Sequence, residues 1–246
     1  MAVKTILVSQ PEPAKEKNPY NSLSEKTKVK IDFRSFIHVE GVDAQDFRKE
    51  RINLADFTAV ILTSRNAIDH YFRIAKEMRF QVPDEMKYFC VSEAVAYYLQ
   101  NYVVYRKRKI FHGTRGIAGL VDTLKKHKKE KFLVPCSNIQ NGSIPATLDK
   151  EGLDYTNAMM YKTVCSDLSD LSDVKYDMLV FYSPSGIESL LKNFPDFKQN
   201  GTKIAAFGTT TSKAVEEAGL RLDVHAPQPG VPSMTMAIEK YIKSNK

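Results

Sequence analysis

The residues best suited to chemistry lie in two short turns rich in hydroxyl side chains. One reads Thr63-Ser64-Arg65-Asn66 and the other Tyr182-Ser183-Pro184-Ser185-Gly186. Each turn follows an apolar run and precedes apolar residues at helical spacing, which predicts strand, turn and helix in that order. In the second turn, Ser183 or Ser185 is expected to cap the helix. The backbone N–H groups and the positive end of the helix dipole at such a turn attract an anion.

Other kinds of catalytic centre have no support in the sequence. The chain contains no GxSxG, Walker A or GxGxxG motif. Its five histidines are scattered without an i, i+4 pair, which argues against a metal hydrolase. The three cysteines are widely spaced and form no CxxC pair, so they are expected to be buried thiols of a reducing compartment.

The composition predicts a globular protein with one large domain or two of ordinary size. The chain has 246 residues, of which 43% are hydrophobic and 26% charged, so disorder is not expected. The sequence has neither an apolar run long enough to span a bilayer nor the layout of a signal peptide. A cytoplasmic protein without membrane contact is the expectation.

The net charge of +7 suits a polyanionic partner, whether a small substrate, a membrane surface or nucleic acid. Part of the excess lies in two basic runs, residues 106–109 and 125–129. No aromatic platform or nucleic-acid-binding motif accompanies these runs, so we expect them to be solvated surface. Nucleic-acid binding through the runs stays open as an alternative.

Apolar and helical patterns alternate along the chain, which predicts parallel sheets with helices on both faces. Two of the predicted strands, 28–39 and 153–164, are unusually long. The strand at 131–134 is expected to end at Pro135. The predicted strands are 4–8, 28–39, 57–62, 88–91, 109–111, 131–134, 153–164, 179–182, 203–207 and one near residue 224. The main predicted helices are 18–26, 43–51, 117–127, 144–150, 209–217 and 234–242.

The two halves of the sequence resemble each other. Residues 60–68 align without a gap with residues 179–187, and residues 88–92 align with residues 204–208 at a similar offset. A loop and helix follow in both halves. This self-similarity predicts a duplicated α/β domain.

The long extended segments, 28–39 and 153–164, flank the middle repeat, so the chain enters that repeat once and leaves it once. We therefore expect a discontinuous α/β domain from residues 1–38 and 165–246, and an inserted α/β domain at 39–164. The two long segments would pair as a two-stranded linker. Because ligands bind beyond the carboxyl ends of strands in open α/β sheets, the hydroxyl-rich turns would face each other across a cleft.

The order and spacing of five motifs resemble the uroporphyrinogen-III synthase family over nearly the whole chain. These motifs are Val8-Ser9-Gln10-Pro11, Thr63-Ser64-Arg65-Asn66-Ala67, Met160-Tyr161-Lys162-Thr163, Phe181-Tyr182-Ser183-Pro184-Ser185-Gly186 and Phe207-Gly208-Thr209-Thr210-Thr211-Ser212. The resemblance implies a monomeric lyase of heme and other tetrapyrrole biosynthesis, with no metal or organic cofactor. Such an enzyme closes linear hydroxymethylbilane, which carries eight carboxylates, into uroporphyrinogen III with inversion of ring D. Loss of a hydroxyl gives an azafulvene, which rearranges through a spiro intermediate before ring closure.

The resemblance also implies roles for individual residues. Tyr161 is the implied catalytic residue, a general acid for the leaving hydroxyl, although an aromatic on a half-buried strand often serves only packing. Arg115, like Arg65, lies at a turn on the cleft side and could pair with a substrate carboxylate, with exposed surface as the favoured alternative for Arg115. The hydroxyl residues at the turns are expected either to bind substrate carboxylates or only to cap helices, and for Ser92 a cap is favoured. The implied substrate-binding residues are Ser9, Thr63, Ser64, Arg65, Ser92, Ser183, Ser185, Gly186, Gly208, Thr209 and Thr211.

Three stretches depart from the family pattern. They are Ser9-Gln10-Pro11 in the first turn, Ser92-Glu93 in the middle domain, and Pro135-Cys136 after the strand at 131–134. These departures bear on the carboxylate contacts and not on the fold. A hinged two-domain protein that captures an anion without turnover is the alternative function.

Overall fold

The computed structural model describes residues 3–14, 16, 18–114, 116–139, 142–171 and 175–245, and strands and helices alternate along it. The strands are β1 (Thr5–Val8), β2 (Lys30–Phe33), β3 (Ile37–Gly41), β4 (Ala59–Leu62), β5 (Lys87–Cys90), β6 (Ile110–His112), β7 (Phe132–Ser137), β8 (Tyr155–Cys165), β9 (Met178–Phe181), β10 (Lys203–Phe207) and β11 (Val224–Ala226). The helices are α1 (Pro19–Thr27), α2 (Ala44–Lys49), α3 (Arg65–Glu77), α4 (Glu93–Leu99), α5 (Val121–Lys126), α6 (Ser143–Lys150), α7 (Pro184–Asn193), α8 (Thr209–Glu217) and α9 (Met234–Ser244).

The chain divides into two units by the density of its internal contacts. Unit 1 comprises Met1–His38 and Val164–Lys246, and unit 2 comprises Val39–Thr163. The chain passes from one unit to the other within β3 and again within β8. Each unit is built around its own sheet.

Unit 1 contains a five-stranded sheet in the order β11-β10-β9-β1-β2. All four neighbouring pairs are parallel. Side chains of β1 alternate between two buried clusters, because Ile6 packs with residues of α1 and α9 while Leu7 packs with residues of α7 and α8. Both faces of the sheet are therefore covered, which explains why its central strands are almost wholly apolar.

Unit 2 contains a six-stranded sheet in the order β3-β8-β7-β4-β5-β6. The pairs that join β8, β7, β4, β5 and β6 are parallel. Along β4, Val60 and Leu62 face α3 and α4, whereas Ala59 and Ile61 face α5 and α6. The predicted α/β class with parallel sheets is confirmed.

The two sheets share a pattern of strand order. From one edge, unit 1 runs β11, β10 and β9 and then β1 and β2. Unit 2 runs β6, β5 and β4 and then β7 and β8, with β3 beyond. In both cases three successive strands lead inward to a central position, and two further successive strands continue the sheet.

The single long strand predicted over 28–39 is wrong. The segment forms β2 and β3, which belong to different sheets. Between them Phe36 is buried with 1% of its surface exposed, and its ring lies edge-on to Phe181 with centroids 5.7 Å apart. Inserting that side chain into the core of unit 1 bends the chain and interrupts the extended run.

The prediction that Pro135 ends its strand is also wrong, since β7 continues to Ser137. Pro135 pairs with Ala158 of β8, while the pairing of β7 with β4 stops at Leu133. A proline has no backbone N–H to donate. It therefore fits in a strand only where its nitrogen faces a side of the strand that makes no ladder hydrogen bond. Among the residues that the structure describes, none forms a ladder pair with Pro135 on that side of β7.

Candidate functional site

A pocket of about 340 Å³ opens at the carboxyl ends of the parallel strands of unit 2. This edge of an open α/β sheet is where ligands bind in such folds. The pocket walls come from the turn after β4, the end of β7, the middle of β8 and the start of α6. The lining residues are Thr63, Ser64, Val91, Gly116, Ile117, Val134, Pro135, Cys136, Ser137, Ile139, Ser143, Ile144, Pro145, Asn157 and Tyr161.

Tyr161 lies on the wall of this pocket with 8% of its surface exposed. Burial raises the pKa of its hydroxyl, and hydrogen bonding with the side chains of Ser64 and Thr63 offsets part of that rise. Three residues predicted for the site from two distant motifs are thus brought together. The phenol is protonated at neutral pH, as an ordinary tyrosine is, so it can donate a proton, although the raised pKa makes it a weaker acid.

Ser64 caps α3, because its hydroxyl oxygen accepts a hydrogen bond from the backbone N–H of Ala67 at 3.1 Å. A serine hydroxyl has one donor and two acceptor positions, so this cap leaves its O–H available for a carboxylate or a phenol. Capping and substrate binding by Ser64 are therefore compatible.

Arg65, the first residue of α3, is exposed and lies over the ring of Tyr98 at 5.2 Å from Cζ to the ring centroid. Tyr98 is held in turn by its hydroxyl, which donates to Asp69 at 2.9 Å. The cation–π contact limits the positions open to the guanidinium before any ligand arrives. Arg65 is not among the residues that line the pocket.

Ser92 caps α4 by accepting from the N–H of Val95 at 3.3 Å, as the sequence favoured. Its neighbour Val91 lines the pocket. Arg115 lies outside the described residues.

Unit 1 has a second group of hydroxyls at the ends of β1 and β9. Ser183 caps α7 by accepting from the N–H of Gly186 at 3.3 Å. A Cβ at Gly186 would lie 3.5 Å from Oγ of Ser9, 3.8 Å from Oγ of Ser183 and 3.2 Å from the ring of Phe181. Glycine thus lets the helix start approach β1 closely, which brings the two serines to the same place.

The remaining predicted residues lie at the starts of α7 and α8. Ser185 is half-buried in the first turn of α7, whereas Thr209 is exposed at the start of α8. Gly208 precedes α8 with φ of 87° and ψ of 152°, a conformation that L side chains rarely adopt. Thr211 has only 1% of its surface exposed, so its side chain points into the unit.

A scan against protein-family models matches residues 19–236 to the model described as uroporphyrinogen-III synthase HemD. The chain belongs to the uroporphyrinogen-III synthase family. The resemblance inferred from the five motifs is thereby confirmed.

Individual members of the family show moderate similarity to the chain. The uroporphyrinogen-III synthase of Chlorobaculum parvum is 27% identical over 213 residues, which cover 78% of this chain and 82% of that protein. The crystal structure of the Helicobacter pylori enzyme matches with a TM-score of 0.63 at 17% identity, over 98% of this chain and 99% of that one. A mutant enzyme from Thermus thermophilus gives a TM-score of 0.59 at 14% identity, over 98% and 99% of the two chains. At these identities the structures support the fold alone.

Several pocket residues were not predicted. Pro135 and Cys136, expected only as a departure from the family pattern that bears on carboxylate contacts, lie in the pocket wall. Asn157 lies on β8, the strand that carries Tyr161, and its place in the predicted strand was the only available signal. His70 stacks on Tyr161 with centroids 5.1 Å apart and planes 17° apart, a contact that no sequence pattern indicated.

Two general features accompany the site. Within the described ranges, no group of three or more His, Cys, Asp or Glu side chains is arranged to hold a metal ion. None of the helices described is both long and apolar enough to cross a membrane.

Proposed function

We propose that this chain catalyses the reaction of its family, the closure of hydroxymethylbilane to uroporphyrinogen III with inversion of ring D. In reaction class it would be a cyclising hydro-lyase of heme and tetrapyrrole biosynthesis. The observation that carries the proposal is a protonated, largely buried Tyr161 at a pocket where family motifs from β4 and β8 meet. A linear tetrapyrrole with eight carboxylates suits a chain of net charge +7.

Tyr161 is proposed as the general acid that protonates the leaving hydroxyl of the substrate. The protonated hydroxyl leaves as water when the carbon–oxygen bond breaks, and an azafulvene cation remains. The tyrosinate recovers a proton when ring closure releases one. A general acid of this kind contributes about 10²–10⁴-fold to the rate. Ser64 and Thr63 would steady the hydroxyl and, through hydrogen bonding, moderate the cost of its brief ionisation.

The carboxylate arms of the substrate are proposed to bind the hydroxyl-rich helix starts. Ser183 uses an acceptor position for the cap, which leaves its O–H group to donate to a carboxylate. The cap leaves Ser64 the same single O–H group, which can donate either to the phenol of Tyr161 or to a carboxylate. The backbone N–H groups of the first helical turns add further donors and a favourable dipole. Pockets that bind small ligands are commonly of this size or larger, so the pocket of about 340 Å³ would take part of the linear tetrapyrrole.

Positioning is proposed to supply most of the catalysis besides the proton. The spontaneous closure gives the isomer without inversion, so the protein must hold the substrate in the conformer that leads to the spiro intermediate. Donors on helix starts are rigid and therefore suited to that task.

The duplication of an α/β domain is likewise proposed, supported by the common strand order of the two sheets and by the aligned sequence segments. The expected cleft between two domains, the monomeric state, the cytoplasmic location and the absence of nucleic-acid binding stay predictions.

The proposal is tested by incubating the purified chain with enzymatically generated hydroxymethylbilane and separating the oxidised products by chromatography. Isomer III should form faster than the spontaneous isomer I. Tyr161→Phe should lower kcat by about 10²-fold or more. Tyr97→Phe is the matched control, since Tyr97 is 75% exposed on α4.

Isomer I alone, at the spontaneous rate, would refute the proposed activity. A thermal shift by the linear tetrapyrrole without isomer III would instead support the binder without turnover. Isomer III from the native chain and from Tyr161→Phe at equal rates would keep the activity and refute the role of Tyr161.

A further inference from the structure

Arg73 in α3 connects four groups of unit 2. Its Nη2 donates to the backbone oxygens of Val42 at 2.7 Å and Met160 at 3.0 Å, and its Nη1 pairs with Glu77 at 2.7 Å. Met160 precedes Tyr161 in β8, and its oxygen also accepts from the N–H of Val42 at 3.1 Å. Arg73 therefore fixes the backbone directly beside the proposed general acid.

The fourth group is the imidazole of His70, one helical turn earlier in α3. Nε of Arg73 lies 3.1 Å from Nδ1 of His70. A guanidinium only donates, so Nδ1 must be the unprotonated acceptor and the neutral ring carries its proton on Nε2. The contact with Arg73 sets both the tautomer and the orientation of His70.

His70 passes that orientation on to Tyr161. The two rings are stacked, with centroids 5.1 Å apart and planes 17° apart. Tyr161 shares the pocket lining with Thr63 and Ser64, whose hydroxyls lower the pKa of its phenol. One face of its ring is thus packed against a ring whose own position depends on Arg73.

The guanidinium needs room to reach these partners, and Gly41 in β3 provides it. A Cβ at this glycine would lie 2.8 Å from both Cζ and Nη2 of Arg73, and 3.0 Å from Nε. Such contacts are shorter than real Cβ atoms tolerate, so any other residue at position 41 would displace the guanidinium.

We propose that Arg73 and His70 are positioning residues that hold Tyr161 in its productive orientation at the pocket, with Gly41 as the space that lets Arg73 reach them. This inference rests on the proposed role of Tyr161 in the synthase reaction. None of the three residues is proposed to touch the substrate.

Gly41→Ala tests the proposal without removing any side chain. It should lower kcat for isomer III about 10- to 100-fold, since a misplacement of about 1 Å can cost that much, while KM changes less than about twofold. Gly201→Ala is the control, because a Cβ there meets nothing within 4 Å. His70→Phe is a second variant that keeps an aromatic ring but cannot accept from Arg73, and it should lower kcat in the same direction.

A double-mutant cycle separates positioning from general structural damage. In a Tyr161→Phe background, Gly41→Ala and His70→Phe should each lower kcat by less than about threefold further, because they act through the missing hydroxyl. Multiplicative effects in the cycle, or a normal kcat in both single variants, would overturn the proposal while leaving the synthase activity intact.

Nitrogen NMR of ¹⁵N-histidine-labelled protein provides a readout independent of activity. In the native chain His70 should show an unprotonated, hydrogen-bonded Nδ1, and Gly41→Ala should change that signal while Gly201→Ala leaves it unchanged. A protonated Nδ1 in the native chain would overturn the proposal. Failure of the proposed function is distinct, since it would appear as absent isomer III in the native chain.

Discussion

Gly208 joins β10 to α8 in a backbone conformation that is strained for any other residue. Its φ is 87° and its ψ is 152°, and a Cβ built there meets nothing within 4 Å. Gly208→Ala therefore adds no clash, and its cost is conformational strain alone. A non-glycine residue in such a region costs about 1–3 kcal/mol. The lower entropy of the unfolded alanine chain returns about 0.4–1 kcal/mol, which leaves about 1–2 kcal/mol of net destabilisation for values near the middle of both ranges.

That loss corresponds to about a 5- to 30-fold increase in the unfolding equilibrium constant. We expect a lower urea midpoint for Gly208→Ala, followed by circular dichroism, with the denaturant slope unchanged. Gly201→Ala is the matched control in the same unit, with an open environment and no positive φ. It should be neutral or slightly more stable than the native chain.

The same substitution has a functional consequence. The N–H of Gly208 donates to the backbone oxygen of Ala226 at 2.7 Å, which ties the start of α8 to β11. Relief of strain at Gly208→Ala would shift Thr209 at the proposed carboxylate site, so KM should rise more than kcat falls. Equal urea midpoints for Gly208→Ala and Gly201→Ala would refute the reasoning, because they would show that the turn relaxes without cost.

Three further predictions follow from single contacts. Among the described residues the buried hydroxyl of Tyr71 has no hydrogen-bond partner, so Tyr71→Phe should raise the free energy of unfolding by about 1 kcal/mol in urea titrations, and a loss of stability would contradict this. Tyr98→Leu removes the ring beneath Arg65, so KM should rise with little change in kcat, and an unchanged KM would show that substrate binding does not depend on the contact between that ring and the arginine. Burial raises the pKa of Asp177, but hydrogen bonds from the start of β1 outweigh it and hold the pKa below its ordinary value. This carboxylate stabilises the fold above about pH 4 and loses that effect as the pH falls through its folded pKa. In urea unfolding at several pH values, Asp177→Asn should therefore lose less stability below about pH 4 than the native chain. An equal dependence of the free energy of unfolding on pH in the two proteins would contradict this.

Local patterns were sufficient for most of the elements. The apolar runs at β4, β9 and β10, each followed by apolar residues at helical spacing, predicted strand and helix correctly because a buried parallel strand and an amphipathic helix have distinct periodicities. The expectation that all three cysteines are buried holds for Cys90 alone. The two wrong strand predictions have tertiary causes. Phe36 bends an otherwise extended segment because the core of unit 1 takes in its ring, and Pro135 is tolerated because β7 lacks a partner on one side there.

The candidate site was predictable only in part. The hydroxyl turns were visible as helix starts, and the structure shows Ser64, Ser92 and Ser183 as caps. Their contacts with a substrate stay predictions, because the cap uses only an acceptor position of the hydroxyl and does not show which group its O–H donates to. His70 and Arg73 gave no signal at all, because their roles depend on which strand packs against α3.

By itself the sequence determined the family, the α/β class and the order of most elements, and it predicted helix caps at Ser92 and at Ser183 or Ser185. These properties follow from the order of short motifs and from interactions within a few residues. Only the tertiary structure decided which residues meet at one place, such as Tyr161 of β8 with Ser64 after β4, and Gly41 of β3 with Arg73 of α3. These contacts join residues that are distant in sequence, because the strand order of the sheet brings them together. No local sequence pattern predicts that order or the packing geometry.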